Sequence, residues 1–333
     1  MSIRIIKAGI QTSLQDYGRK FHRVSGVPVS GAIDRDSFRI ANILAGNPPG
    51  STAIEFTLHG AALMAETKMI IAFCGGGAEL YINQQKVISS RPVLVQPYSF
   101  LDLRPAFEGC RSYLAVSGGL VGNSDLGSTS TYAPATLGGL NGGLLKSGDM
   151  LSIKDAEVFN RMQKLPWRTD TSGAYMQTGW GFSQQIAAND TETVIRIVKG
   201  PEWHYFRDTV SDTLFGNSYL VSENSNRMGY RLKGEQIPID LKTELISTAV
   251  SPGTIQVTPE GELLMLMADA QTTGGYPRIA HVAMADLHVC AQLRPGRCIK
   301  FVEICALEAE QLHLKNERQL NLFKEIVLIN LQL

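Results

Sequence analysis

Short apolar runs separated by polar or glycine-containing breaks dominate the hydrophobic pattern of this chain. Between residues 53 and 116 such runs recur at short intervals. Evenly spaced runs of this length predict the strands of a β-barrel or β-sandwich rather than helices. The predicted strands here are Ile54–Leu58, Lys68–Phe73, Glu79–Ile82, Arg91–Val95, Phe100–Leu103 and Arg111–Val116. The first half of the chain is therefore expected to be mainly β.

One early segment has helical spacing instead. Its apolar residues recur at three- and four-residue intervals, and they are Phe38, Ala41, Leu44 and Ala45. Asp34 is placed to cap this helix, and the sequence at 46–49 contains the glycine and prolines that end it. The other face carries Arg35, Arg39 and Asn42, which form either a solvated stripe or a binding surface.

The second half shows the strand pattern again after a weakly periodic stretch. Residues 155–193 are predicted to connect the two halves. A helix is expected over 201–214, and Asp286 is expected to cap a short helix ending at Leu293. The predicted strands are Val194–Val198, Tyr219–Val221, Ile255–Val257, Leu263–Ala268, Ile279–Met284 and Cys298–Ile304. After Ala306 the pattern predicts an amphipathic helix and then an apolar end.

Residues 117–149 are rich in Gly, Ser and Thr and predict a long ordered loop that closes on a hairpin. A loop of this length in a compact domain is usually functional or part of an interface. The sequence leaves open whether it touches a ligand or a partner. A second glycine cluster, Cys74–Gly77, lacks the Lys-Ser/Thr ending of a phosphate-binding loop and is not a dinucleotide fingerprint.

The candidate functional stretch is the polar loop from Asp269 to Ile279, which follows the apolar run Leu263–Ala268. Gly274 and Gly275 allow positive φ or close approach of the backbone to a ligand, and Pro277 fixes the exit. Four further side chains offer hydrogen bonds or a pocket wall, namely Gln271, Thr272, Thr273 and Tyr276. The alternative is a tight turn whose polar groups satisfy one another.

Composition limits the classes of function. The 333 residues suggest about two domains. Lys plus Arg and Asp plus Glu both number 31, so the zero net charge argues against a broad nucleic-acid surface. The apolar runs are too short to span a membrane, and the N-terminus lacks the features of a signal peptide. A cytoplasmic location is therefore expected.

Cysteine and histidine spacing predicts neither disulfides nor metal binding. The five cysteines contain no CxxC pair, and the six histidines contain no HxH or HExxH pair. An odd number of cysteines without such spacing argues against a disulfide framework or a zinc site. No metal ligand is therefore predicted.

Several motifs taken together resemble a known family. They are Gln15–Arg19, Gly26–Asp34, Phe38–Asn42 with Gly46–Asn47, Arg227–Leu232, Ser251–Val257 and Gln271–Pro277. In this order they are similar to the C subunits of 5-oxoprolinases, also called the biotin-dependent carboxyltransferase or allophanate hydrolase subunit 2 family. That family is related to part of urea carboxylase. The resemblance covers residues 3 to 305.

This resemblance implies a mainly β fold with a few helices, arranged as two tandem cyclophilin-like β-barrel domains. The first would occupy residues 1–190, with the Gly-rich loop 117–149 and the connector 155–193, and the second residues 191–305. A C-terminal helix or tail would follow at 306–333.

The resemblance also implies a bacterial enzyme component that works with two other proteins, a cyclophilin-like sister B subunit, and an A subunit. Their complex would use ATP to open the cyclic amide of 5-oxoproline to glutamate. The chain alone is expected to bind no cofactor, and biotin is not expected because no Met-Lys-Met segment occurs. Two alternatives stay open: a non-catalytic regulatory partner of the sister protein, as in kinase-inhibitor antagonists, and a carboxyltransferase of a urea carboxylase-like system.

The family places the loop at Asp269 in the functional site, with the segment from Asn226 facing the same cleft. Asp269 would then be the catalytic group or would orient a substrate amide, and Arg227 would clamp a carboxylate. The alternatives are a carboxylate that satisfies loop N–H groups and an arginine in a simple ion pair. The chain departs from the family at Asn226, usually Asp, and at Ala270, usually His or Arg. These changes remove a base and a cation and put the carboxyl-transfer chemistry in doubt.

Overall fold

The computed structural model describes residues 1–106, 108–169, 173–183, 192–239 and 245–331. The chain divides into two compact units. Unit 1 consists of Met1–Gly18, Asp34–Ile186 and Gln319–Leu333, and unit 2 of Arg19–Ile33 and Ala187–Arg318. The segment 19–33, which the sequence prediction places in the first domain, therefore clusters with unit 2. The predicted domain boundary at 190 lies outside the described residues.

Unit 1 is built from two sheets. Their strands are β1 (Ser2–Ala8), β2 (Gln11–Gln15), β3 (Ala53–Thr57), β4 (Ala61–Ala65), β5 (Met69–Gly75), β6 (Ala78–Ile82), β7 (Gln85–Lys86), β8 (Pro92–Val95), β9 (Phe100–Pro105), β10 (Arg111–Val116), β11 (Met150–Ser152), β12 (Trp167–Thr169) and β13 (Met176–Thr178). One sheet has the order β11-β1-β4-β9-β6-β7 and the other β12-β13-β8-β5-β10-β3-β2. The central strand β5 is buried along its whole length, which explains its continuous apolar sequence.

Two helices pack in unit 1. Helix α1 (Arg35–Leu44) lies on β5 and β10, and the Asp34 side chain accepts a hydrogen bond from the Ser37 N–H at its N-terminus, as predicted. Helix α2 (Ala156–Met162), β12 and β13 lie within 155–193. The described part of that segment is therefore not merely a connector, because β13 pairs with β8 and α2 contributes Val158 and Met162 to a small core.

The loop 117–149 is ordered around the carboxylate of Asp16. Four donors reach this group within 2.7 Å: the Ser128 and Ser130 hydroxyls and the backbone N–H groups of Gly18 and Thr129. Burial raises the pKa of Asp16, but these hydrogen bonds outweigh it, so the pKa lies below the ordinary value. A loop without regular strands is thus fixed by one buried acid.

Unit 2 contains a closed barrel. Its strands are β14 (Glu192–Lys199), β15 (Ser218–Val221), β16 (Gly229–Lys233), β18 (Thr254–Val257), β19 (Leu263–Leu266), β21 (Arg278–Val282) and β22 (Cys298–Glu303). They follow the order β14-β21-β18-β19-β16-β15-β22 around the barrel, and β14 and β22 run parallel. A separate two-stranded ribbon pairs β17 (Thr248–Ala249) with β20 (Thr273–Gly274). The mainly β fold with a few helices is confirmed.

Two local predictions for unit 2 are wrong. Residues 201–214 do not form one helix: a 3₁₀ turn at Trp203–Tyr205 ends at Phe206, which is extended, and helix α3 (Val210–Gly216) begins later. Asp286 precedes helix α4 (Leu287–Ala291) but makes no capping bond, because its carboxylate pairs with the Arg196 guanidinium. A charge-assisted pair is stronger than a neutral cap.

The C-terminal segment forms one helix, α5 (Ala306–Leu331), rather than a helix followed by a separate apolar end. Leu320 and Val327 are its buried residues, whereas Leu322 and Ile329 on the other side are exposed. No helix in the described ranges combines the length and apolarity needed to cross a membrane.

Candidate functional site

The polar loop predicted from the sequence leaves the barrel at the end of β19 and returns to it at β21. Between these strands it forms the β17–β20 ribbon, in which Thr273 lies opposite Ala249. The Val250 N–H donates to the Thr272 carbonyl at 3.1 Å and extends the pairing by one residue. The loop is therefore supported by a second segment of unit 2.

At the base of the loop, Asp269 and Arg227 form a buried ion pair. Arg227 Nε donates to Asp269 Oδ2 at 2.7 Å and Nη2 donates to Oδ1 at 3.0 Å, with side-chain exposures of 6% and 8%. The Asp269 N–H also donates to the Arg227 carbonyl at 2.9 Å. The structure thus brings these two predicted residues together in bidentate geometry.

Sequence reasoning missed the third member of this cluster, the segment at Ser30 and Gly31. The Ser30 hydroxyl donates to Asp269 Oδ1 at 2.5 Å, and Arg227 Nη2 donates to the Gly31 carbonyl at 2.7 Å. Ser30 and Gly31 both have positive φ, at 57° and 83°. The Gly26–Asp34 motif was a signal of importance, but nothing in the sequence indicated that it contacts a residue more than 200 positions away.

Both oxygens of Asp269 are therefore engaged by donors from two other segments. This arrangement fixes the approach of segment 26–33 to the start of the loop. It makes Asp269 a positioning residue in this structure. A direct catalytic role for Asp269 stays a prediction.

Gln256 supports the tip of the loop from below. Its side chain is fully buried, and Nε2 donates to the Tyr276 carbonyl at 3.0 Å. A Cβ atom on Gly274 would lie 2.8 Å from the same Nε2 atom, whereas the closest atom to a Cβ on Gly275 would be 3.4 Å away. Gly274 is thus required by close packing on Gln256, and Gly275 has room.

The side chains predicted to bind substrate lie mostly at the surface of the loop. Gln271, Thr273 and Tyr276 are exposed, and Thr272 is half-buried. Their hydroxyl and amide groups are available to a small polar molecule with several hydrogen-bonding atoms. Arg278 borders the loop and donates to both carboxylate oxygens of Glu202, which lowers the pKa of Glu202.

The two positions at which the chain departs from its family differ in environment. Asn226 is exposed, and its Oδ1 accepts a hydrogen bond from the Met228 N–H at 2.8 Å. An Asp could make the same turn-forming bond. Ala270 is buried with Val250 and Leu266. A His or Arg side chain at 270 would have to displace these apolar neighbours.

Arg39 and Asn42 lie in unit 1, unlike the other predicted site residues. Asn42 is fully buried rather than solvent-facing. Its Nδ2 donates to the Ser51 carbonyl at 2.9 Å, and its Oδ1 accepts from Asn47 Nδ2 at 3.1 Å. Asn47 in turn accepts from the Gly118 N–H, so these contacts give Asn42 a role in holding the turn after α1. A binding role for Arg39 and Asn42 stays a prediction.

Within the described ranges, no group of three or more His, Cys, Asp and Glu side chains is arranged to hold a metal ion. The site consists of hydroxyl, amide and guanidinium groups on a backbone ribbon. Such a set binds and orients a polar molecule, but its exposed loop residues include no nucleophile paired with an activating base.

Comparisons with known proteins match nearly the whole chain. The family described as carboxyltransferase domain, subdomain A and B, matches residues 25–303. The C subunit of the 5-oxoprolinase of Escherichia coli is 37% identical over 317 residues, which is 95% of each chain. The crystal structures of the urea amidolyase and the urea carboxylase of Kluyveromyces lactis each superpose with a TM-score of 0.84 at 30% identity. They cover 97% of this chain, but it spans only 20% and 29% of their lengths.

Proposed function

The chain belongs to the family of the carboxyltransferase domain, subdomain A and B, and on that premise we propose that it is the C subunit of an ATP-dependent 5-oxoprolinase. The observation that carries the proposal is the end-to-end match with the E. coli C subunit, 95% of each chain, against 20% of the urea amidolyase. The proposed complex also contains a sister B subunit, with an A subunit as its third member. Together they open the cyclic amide of 5-oxoproline to glutamate with hydrolysis of ATP.

In this proposal the ribbon loop of unit 2 holds the substrate. 5-Oxoproline presents a lactam N–H, a lactam carbonyl and a carboxylate. The Thr272 and Thr273 hydroxyls and the Gln271 amide offer both donors and acceptors for these groups. The Asp269–Arg227 pair contributes indirectly, because it fixes where the loop starts. The absence of a nucleophile–base pair among these loop residues agrees with a protein that acts only with its partners.

The test is glutamate release from 5-oxoproline and ATP by this chain purified together with the A and B subunits from the same genome. We expect activity in the complete complex and none with this chain alone. The double substitution Thr272→Val and Thr273→Val should raise KM for 5-oxoproline about tenfold or more, since each lost hydrogen bond costs about 1 kcal/mol. Thr193→Val on β14 is the matched control and should leave KM unchanged. A complete complex without activity would refute the proposal.

A second function has a specific observation in its favour. The superposition on the K. lactis urea carboxylase supports a carboxyltransferase component of a biotin-dependent system. Biotin would arrive on a carrier domain of another polypeptide. Transfer of carboxyl from carboxybiotin to urea by this chain, with no 5-oxoprolinase activity, would favour this function.

A regulatory partner without catalysis is the remaining alternative. Asn226→Asp separates it from a decayed enzyme, because Asp preserves the turn at Met228 and restores the acid usual in the family. A gain of activity indicates a decayed enzyme. Ala270→His is a poorer test, because residue 270 is buried among apolar side chains.

A further inference from the structure

The segment 19–33 of unit 2 carries an exposed apolar tip. Phe21 is 95% exposed and the Val24 side chain is fully exposed. Ile246, which precedes strand β17, is 88% exposed. Isolated surface apolar residues are common, but large side chains standing fully free of the surface cost hydration free energy that burial in an interface would recover.

The tip is a built structure. The Arg19 N–H donates to the Val29 carbonyl at 2.7 Å and closes the base of the loop. Inside it, Arg23–Ser25 form a 3₁₀ turn that ends at Gly26 in the left-handed region. Phe21 itself has a φ of 70°, a conformation that costs free energy for a bulky residue. The fold therefore holds Phe21 and Val24 outward.

Hydrogen bonds connect this tip to the candidate site. The Arg23 guanidinium donates to the Val250 carbonyl, and the Val250 N–H donates to the Thr272 carbonyl. Ile246 lies four residues before Val250, within about 14 Å even if that segment is fully extended. The apolar tip, Ile246 and the substrate loop thus border the same ribbon.

The charge of the segment narrows the choice of partner. Residues 19–33 contain two arginines, one lysine and one histidine, and no acidic residue. Packing two such tips against each other in a symmetric dimer would oppose like charges. A different protein with an apolar pocket and a carboxylate rim matches both the side chains and the charge.

We propose that Phe21 and Val24, with Ile246 beside them, form the docking surface for another protein of the complex, which covers the substrate loop when it binds. This inference rests on the proposed function, since the relative that matches end to end is named as one subunit of a larger enzyme. The surface places the partner next to Thr272. The partner would then supply the groups that the ribbon lacks.

The experiment measures binding of this full-length chain to the purified A and B subunits of the 5-oxoprolinase from the same genome. The double substitution Phe21→Ser and Val24→Ser should raise the Kd for one of these proteins 100-fold or more, since centrally buried aromatic anchors dominate interfaces. The control is Leu322→Ser with Ile329→Ser on α5, where two exposed apolar residues lie elsewhere on the chain. We expect this control to bind within twofold of the wild type, and both variants to keep the wild-type Tm.

A photo-crosslinking residue at position 21 gives an independent readout. A covalent product with the A or B protein supports the proposal. A product with a second copy of this chain overturns it, as does loss of binding to anionic phosphatidylserine vesicles in the double variant. Unchanged affinity of the Phe21→Ser, Val24→Ser variant refutes the docking surface alone. A wild-type chain that binds neither protein and gives no turnover refutes the proposed function as well.

Discussion

Removing the charge of Asp269 should destabilise unit 2 strongly. In Asp269→Asn the guanidinium of Arg227 stays buried without a counter-charge, and the new amide points an N–H group toward its donors. Breaking one partner of a buried ion pair costs about 3–5 kcal/mol, because the remaining charge keeps its desolvation penalty. Both side chains are less than 10% exposed, so solvent screening reduces this figure little. At about 2–4 °C per kcal/mol, Tm should fall by about 6–20 °C.

The assay is urea unfolding followed by the fluorescence of Trp203, which packs against Phe215 in unit 2. Replacing Trp167 and Trp180 of unit 1 by Phe makes this signal specific for unit 2. Hydrogen exchange on the same variant should show faster exchange at Ser30, because its contact with the carboxylate is weakened.

Two further variants test the cause. Asp269→Leu combined with Arg227→Met should cost less than either single change, since no charge is then left buried. Glu262→Gln breaks the exposed pair with Arg231, whose atoms lie 3.7 Å apart, and should cost less than about 1 kcal/mol. If Asp269→Asn costs no more than Glu262→Gln, the buried pair does not hold the loop and the reasoning is wrong.

Three other predictions follow from single contacts. Asp16→Asn should lower the free energy of unfolding of unit 1 by about 2 kcal/mol at pH 7; because the folded-state pKa of Asp16 is lowered, this difference is present above the ordinary carboxyl pKa and disappears as the pH falls through the lowered value, which urea titrations at pH 7 and pH 3 would detect. Gly274→Ala should destabilise by about 1–3 kcal/mol because its Cβ would press on Gln256, whereas Gly275→Ala should be tolerated; equal effects in thermal unfolding would contradict this account. Cys305 is the exposed cysteine, so a thiol reagent at pH 8 should label it first, and Cys305→Ser should abolish the fast phase, while the buried cysteines react only after unfolding.

The strands were the most predictable part of the fold. Alternating and short continuous apolar runs are local signals, and β5, β18, β19 and β22 lie where those runs are. The family resemblance from ordered motifs is confirmed by the matching family and the E. coli relative. The motif at Gly26 was recognised as important, although its contacts were not.

The errors occurred where a distant residue competed with a local signal. Asp286 occupies the position of a cap, yet Arg196, 90 residues earlier, takes its carboxylate. The apolar spacing of 201–214 is helical, but the chain turns at Phe206, which is buried in the barrel core. Propensity is a weak preference that tertiary contacts override.

The sequence by itself determined the mainly β class, the family and the polar loop from Asp269 to Ile279, because each is encoded by neighbouring residues. Only the tertiary structure decided what the loop residues do. It buried the carboxylate of Asp269 under Ser30 and Arg227 and exposed the Thr273 side chain. Closing the barrel joins residues more than 200 positions apart, and a carboxylate is a candidate catalyst or a structural anchor according to which donors then surround it.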